Sequence, residues 1–237
     1  MKYKAIFFDL DGTLLPCDID VFTKAYFTEL AKVLAPYGYE KDELVAAIRG
    51  GTKLMYKNDG SKSNCDVFWE CFAKSAKGDV AKAKELCDAF YTKEFNNARG
   101  VCGENPLAVE AVKAARAAAD VVVCATNPLF PMDGQRTRLS WVGLDSDMFD
   151  LVTSYETQCF CKPNPAYYKA ICDKFDLDPA EVLMIGNDED EDMFAAASLG
   201  MDTYLVTDCI ISRGNGPYEG KRGTFAEMVE FLRGLSK

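Results

Sequence analysis

Two carboxylates stand two residues apart in the N-terminal stretch FFDLDGTLL (7–15), at Asp9 and Asp11. The run before them, Ala5-Ile6-Phe7-Phe8, reads as a buried strand, and Gly12-Thr13 turn the chain after them. Asp-Gly is a common turn pair, but acids at the mouth of a core strand cost desolvation, and neither has another reason to end one. The chain has no histidine. That excludes a Ser-His-Asp triad, a Cys-His pair and a histidine general base. Acid–base work must then fall mainly to carboxylates, lysine, tyrosine or cysteine.

Three later stretches repeat the pattern of an apolar run closed by polar residues. DVVVCATN (120–127) ends at Thr126 and Asn127, and EVLMIGND (181–188) ends at Asn187 and Asp188. FDLVTSYE (149–156) is a weaker strand leading to Lys162, and DTYLVTD (202–208) reads as the last strand. Helical patterns at 106–119, 164–175 and 224–235 lie among them. Apolar strands alternating with helices predict an α/β fold, a Rossmann-like parallel sheet covered on both faces. Ligands bind beyond the carboxyl ends of such strands, where Asp9, Thr126 and Asp188 all fall.

Residues 17–103 have no strand runs. Phe22, Tyr26, Leu30 and Leu34 recur every four residues as one apolar stripe. KDELVAAIRGGTKLMY (41–56) and VAKAKELCDAFYTKEF (80–95) also read as helical, with Gly50-Gly51 interrupting the first. The domain reading is a core of 1–16 and 104–237 and an all-helical insertion of 17–103.

Ten cysteines are spread from Cys17 to Cys209 in a chain of 237 residues, long enough to build a core without staples. They read as free thiols of a reducing, cytoplasmic protein, and the lone Cys159-x-Cys161 has no partner pair for zinc. A net charge of −10 argues against nucleic acid or an anionic membrane as partner. No apolar run reaches the ~20 residues of a membrane span, and no signal peptide is read at the start. GNGPYEG (214–220) loosely suggests a phosphate loop, but it holds a proline and opens no clear helix, so it reads as a surface loop.

Together FFDLDGTLL, the strand-end Thr126, Lys162 in KPNP and the acidic GNDEDED (186–192) resemble the motifs of the haloacid dehalogenase superfamily, in order. The match spans 1–16 and about 104–208, and the insertion resembles the helical cap of that family's phosphoglycolate phosphatase and β-phosphoglucomutase branches. The resemblance implies a phosphatase that uses Mg²⁺ and acts on a small phosphorylated metabolite. Asp9 would attack phosphorus and become an aspartyl phosphate, and Asp11 would act as general acid and then base. Mg²⁺ would bind Asp9, the Asp11 backbone carbonyl and an acid of 186–192. Thr126, Asn127 and Lys162 would hold the phosphoryl oxygens.

The fourth motif departs from the pattern, with Asn187 where the family has an aspartate directly after the glycine. Asp188 is the expected metal ligand, with Asn187 and Asp192 as alternatives. Arg49 and Lys53, flanking Gly50-Gly51, are expected to contact the leaving group. The runner-up reading is a phosphomutase on a sugar phosphate. A receiver-like phosphoryl switch or a non-catalytic relative represents another class. Dehalogenation is disfavoured because that branch lacks the acid corresponding to Asp11. The oligomeric state is left open.

Overall fold

Helices alternate with short strands along the chain in the computed structural model, which describes residues 2–214, 216 and 218–235. After β1 (Ala5–Phe8) come α1 (Ile19–Leu34), α2 (Lys41–Met55), α3 (Asn64–Ser75) and α4 (Val80–Thr92). Then follow α5 (Ala108–Ala118), β2 (Val121–Cys124), α6 (Met132–Ser140), β3 (Leu151–Val152), α7 (Pro165–Phe175) and β4 (Val182–Gly186). A wide helical turn, Glu189–Phe194, runs into α8 (Ala195–Ala197), and β5 (Asp202–Val206), β6 (Lys221–Gly223) and α9 (Phe225–Leu235) close the fold.

The strands form one parallel sheet in the order β3-β2-β1-β4-β5-β6. β1 sits in its centre, with Phe8 level with Cys124 of β2 and Ile185 of β4. Alternate β1 side chains enter two separate cores. Ile6 and Phe8 pack with α5 and α9, whereas Ala5 and Phe7 pack with α7 and Met193. Both faces are dry, so β1 and β4 are buried at every position, as a parallel sheet demands. No helix among the described residues is long and apolar enough to cross a membrane.

Three local readings are corrected. Gly50-Gly51 does not break its helix: α2 runs through both, and a Cβ on Gly51 would lie 2.6 Å from the Phe68 ring. The glycine admits a close helix crossing rather than a turn. The strand expected over 149–156 shrinks to Leu151–Val152, because the Thr153 hydroxyl then turns to donate to the Thr126 carbonyl at 2.7 Å. β5 is not the last strand. β6 follows it as an exposed Lys-Arg-Gly edge, with no apolar run to signal it. Of the Gly-rich 214–220 segment, positions 215 and 217 lie outside the described residues.

The stripe residues Phe22, Tyr26, Leu30 and Leu34 are all buried. The helices between β1 and α5 lie over the carboxyl end of the sheet, held at 56–65 by the loop after β3. There the Asn64 N–H donates to the Gln158 carbonyl at 2.9 Å, and the Cys65 N–H to that of Tyr155 at 2.8 Å. Two linkers join them to the sheet. Cys17 and Cys102 face each other across these linkers in an antiparallel bridge, beside which the Gly103 N–H donates to the Pro16 carbonyl at 2.7 Å.

Candidate active site

β1 delivers Asp9 to the sheet edge, where its N–H still bonds the Ile185 carbonyl at 2.8 Å. The chain then doubles back, and the Gly12 N–H donates to Leu15 at 2.7 Å. Gly12 has φ +84°, and a Cβ there would strike the Asn187 side chain. Glycine is therefore required both for the left-handed turn and for the close approach of the β4 end.

Lys162 is the hub. Its fully buried Nζ donates to Asp9 Oδ1 at 2.8 Å and to Asp192 Oδ1 at 2.7 Å. Burial works against the ammonium, but Asp192 and Asp9 outweigh it and hold Lys162 well above the usual lysine range. Burial pushes the Asp9 carboxyl up, Lys162 opposes that rise, and Asp192 and Asp11 add to it. Asp192 Oδ2 also accepts the N–H groups of Asn187 and Asp188, each at 3.1 Å. Asp192 is thus tied into the fold of the β4 end.

Asp11 meets a cation that the sequence reading missed. Arg138, fully buried on α6, pairs with Asp11 Oδ2 and donates to the Gln135 side chain. Its guanidinium lies 4.3 Å from the Phe130 ring centroid. Asp11 Oδ1 and Arg138 Nε are buried with no hydrogen-bond partner. Nothing in MDGQRTRLS signals this role, since the helix is mostly polar and Arg138 reaches an acid 127 residues away.

Thr126 is buried beyond β2, its carbonyl accepting from Thr153 at 2.7 Å and Tyr167 at 2.9 Å. Asn127 Nδ2 donates to Glu191 Oε2 at 2.9 Å and reaches the Tyr56 hydroxyl at 3.2 Å, while Asn127 Oδ1 is buried without a partner. Asp9, Asn127, Lys162, Glu191 and Asp192 thus form one linked group.

The β4 end sorts its neighbours differently. The Thr13 hydroxyl donates to Asn187 Oδ1 at 3.0 Å and lies 3.5 Å from Asp9 Oδ2, so the Asn187 amide oxygen sits beside the Asp9 carboxylate. Asp188 instead caps the helical turn, Oδ1 accepting the N–H groups of Asp190 at 2.9 Å and Glu191 at 3.0 Å, and Oδ2 pairs with Arg213. Among the described residues no group of three or more acidic or cysteine side chains is set to hold a metal ion. The oxygens brought together here are the Asp9 carboxylate and the Asn187 amide, while Asp11 Oδ1 is buried without a partner. Arg49 and Lys53 lie on exposed positions of α2, apart from this group, and line a chamber among the overlying helices.

The description "haloacid dehalogenase-like hydrolase" matches residues 3–200. The chain belongs to the haloacid dehalogenase-like hydrolases. This hydrolase superposes on a predicted phosphoglycolate phosphatase from Haemophilus somnus 129PT with TM-score 0.57, at 19% identity, covering 98% of each chain. It superposes on a HAD phosphatase from Thermococcus onnurineus with TM-score 0.57, at 21% identity over 97% of each. A 2-haloacid dehalogenase from Pseudomonas syringae pv. tomato DC3000 gives TM-score 0.62, at 18% identity over 97% of this hydrolase and 98% of that chain. Mouse acyl-CoA dehydrogenase family member 10 is 24% identical over 206 residues, 86% of this hydrolase but 18% of the mouse protein. The fold is common to phosphatases and dehalogenases, so the side chains must separate the chemistries.

Proposed function

We propose that this hydrolase is a Mg²⁺-dependent phosphatase that cleaves a small phosphorylated metabolite through an aspartyl phosphate. The carrying observation is the pairing at one strand mouth of Asp9, held by the buried Lys162, with a second acid, Asp11, in the same turn. A dehalogenase needs the nucleophile alone, and the acid two residues on suits an alkoxide that must be protonated as it leaves.

In this reading Asp9 Oδ2 attacks phosphorus, since Oδ1 is held by Lys162. Lys162 and the backbone beyond Thr126 and Asn127 face the phosphoryl oxygens and stabilise the charge that builds there. Asp11 gives its proton to the leaving oxygen, then takes one from the water that cleaves the acyl phosphate. Its unpartnered Oδ1 is the oxygen that exchanges the proton, since Oδ2 is held by Arg138.

The oxygens present fit Mg²⁺, a hard ion that needs only one or two carboxylates and keeps several waters. The Asp9 carboxylate, the Asp11 backbone carbonyl and the Asn187 amide oxygen would hold it, with Asp188 capping the turn behind them. Bound there, it would neutralise phosphoryl charge. Residues 17–103 act as a cap over a core of 1–16 and 104–237.

The test is initial phosphate release from a panel of phosphomonoesters, with Mg²⁺ and with EDTA, for the wild type and Asp9→Asn. Release that requires Mg²⁺ and falls to background in Asp9→Asn supports the reading. Release indifferent to EDTA, or retained by Asp9→Asn, overturns it.

A further inference from the structure

We propose that the chamber among α1, α2 and α3 receives the alcohol part of the substrate, and that this alcohol is apolar over most of its surface. The proposal rests on the phosphatase reading above. The chamber has a volume of about 610 Å³, enough for a small organic molecule. Phe22, Tyr26, Ile48, Trp69, Phe130 and Tyr155 are among its walls.

Several polar atoms of these walls are already paired. The Tyr26 and Tyr91 hydroxyls bond at 3.0 Å, Trp69 Nε1 donates to the Tyr155 hydroxyl at 3.3 Å, and the Thr52 hydroxyl donates to the Ile48 carbonyl at 3.0 Å. A sugar would bury hydroxyls here against walls that are mostly aromatic and aliphatic, which is costly. A hydrocarbon ring or chain would lose nothing and shed water from its surface. Arg49, Lys53 and Lys57 line the chamber from exposed positions, where their aliphatic stems add apolar wall, and the Arg49 guanidinium lies 5.8 Å from the centroid of the Phe27 ring, itself a wall.

Two contacts join the chamber to the carboxylates. Tyr56, one of its walls, carries the hydroxyl that Asn127 reaches at 3.2 Å. Phe130, another wall, lies beneath the guanidinium that holds Asp11. An alcohol seated there leaves toward the group that protonates it.

The experiment compares cyclohexylmethyl phosphate with glucose 6-phosphate. Both are phosphates of a primary alcohol on a six-membered ring, and they differ in ring hydroxyls. The expected result is a kcat/KM at least about tenfold higher for the cyclohexylmethyl ester, the scale of discrimination that an apolar pocket reaches for a single methylene. Thr52→Trp, which fills the chamber from a half-buried position, should lower the ratio. Equal rates, or a preference for glucose 6-phosphate, overturn the chamber proposal while leaving the phosphatase standing. No hydrolysis of either ester, nor of p-nitrophenyl phosphate, overturns both.

A separate observation lies at the linkers. The Gly103–Pro16 bond marks Cys17 and Cys102 as a non-hydrogen-bonded antiparallel pair, whose Cα atoms stand about 4.5 Å apart. That lies inside the 4.4–6.8 Å range of disulfides. We infer that a low-molecular-weight disulfide oxidises this half-buried pair to an intramolecular disulfide that ties the two linkers together. One protein thiolate attacks the small disulfide and expels a thiol. The second protein sulfur, losing its proton, attacks the mixed disulfide and expels another, so two protein thiols are oxidised and one disulfide is reduced to two thiols. The hydrogen bond from Cys17 lowers the Cys102 thiol, which makes Cys102 the attacking sulfur.

Cys209 is the competitor, its thiol accepting the backbone N–H of Cys17. Full-length protein is incubated with glutathione disulfide and mapped by non-reducing peptide mass spectrometry. A Cys17–Cys102 link that forms in the wild type and in Cys209→Ser, and is reversed by dithiothreitol, is the expected result. A persistent glutathione adduct, a dominant Cys17–Cys209 link, or unreacted thiols would overturn it.

Discussion

Replacing Lys162 by methionine should separate what the lysine does for the fold from what it does for turnover. Methionine keeps much of the length and removes the charge. Lys162 is fully buried and its two bonds, 2.8 Å and 2.7 Å, go to carboxylates that are themselves nearly closed to water. Removing one partner of such a cluster leaves buried charge unmatched and costs about 3–5 kcal/mol. That is a large share of the roughly 5–15 kcal/mol that holds a domain together. For a chain of this size it corresponds to a fall in Tm of about 6–20 °C.

The second acid offers a way to restore the fold without the cation. Asp192 keeps two backbone N–H donors, so Lys162→Met with Asp192→Asn removes the excess charge and retains an acceptor. The double variant should regain most of the lost Tm. Its turnover should stay about 10²–10³ below wild type, the usual loss for one group facing a charged transition state. Circular dichroism melts and p-nitrophenyl phosphate hydrolysis read the two quantities. Activity that returns together with stability would show the lysine to be scaffolding only, and a single-variant loss below about 1 kcal/mol would refute the buried-charge argument.

Asp11→Asn should slow the first step on alkyl phosphates by about 10²–10⁴ and on p-nitrophenyl phosphate far less, because nitrophenolate leaves unprotonated. Rapid quench would show a nitrophenol burst before slow turnover, and equal slowing on both esters would count against the acid role. Asn187→Ala should raise the Mg²⁺ concentration for half-maximal rate more than Asp188→Ala, whose main effect should be about 1 kcal/mol of lost capping. A magnesium titration of each variant, with parallel melts, ranks them. Burial pushes the Glu191 carboxyl up to about 7, Asp188 and Asp192 add to this, and Lys162 opposes it. A folded-state value above the ordinary 4.5 means that its stabilising effect is complete at acid pH and is lost as pH rises toward about 7. Glu191→Gln should therefore gain on wild type by up to about 3 kcal/mol between pH 5 and pH 8. A difference in Tm that does not change with pH would contradict this.

The strands were legible because a strand buried on both faces has to be apolar throughout, so the first polar residue marks its end. That rule alone lays Asp9, Thr126 and the Asn187-Asp188 pair along the carboxyl end of the sheet. Contacts made by polar residues on polar helices leave no such trace. Arg138 illustrates this: its partner is set by the docking of α6, which no periodicity reports. The Gly50-Gly51 pair misleads for a related reason, since a glycine placed for the Phe68 ring looks the same in sequence as one placed for a turn. That Asp188 caps the following turn is a matter of backbone direction at one residue, which no pattern in the sequence reports.

The central place of β1 has a consequence for how the chain is made. β1 leaves the ribosome before either of the strands that flank it, which are encoded far downstream, at 121–124 and 182–186. At about 5–20 residues per second, its first partner arrives roughly ten seconds later and its second later still. During that interval an apolar strand with two open edges is exposed to every other nascent chain. The helices between β1 and α5 are local structures that close quickly, and they are the next part to be synthesised. The same delay means that the pairing of Asp9 with Lys162, 153 residues apart, waits until most of the chain has been made. The linked group is therefore complete only once the chain has passed Asp192, beyond β4.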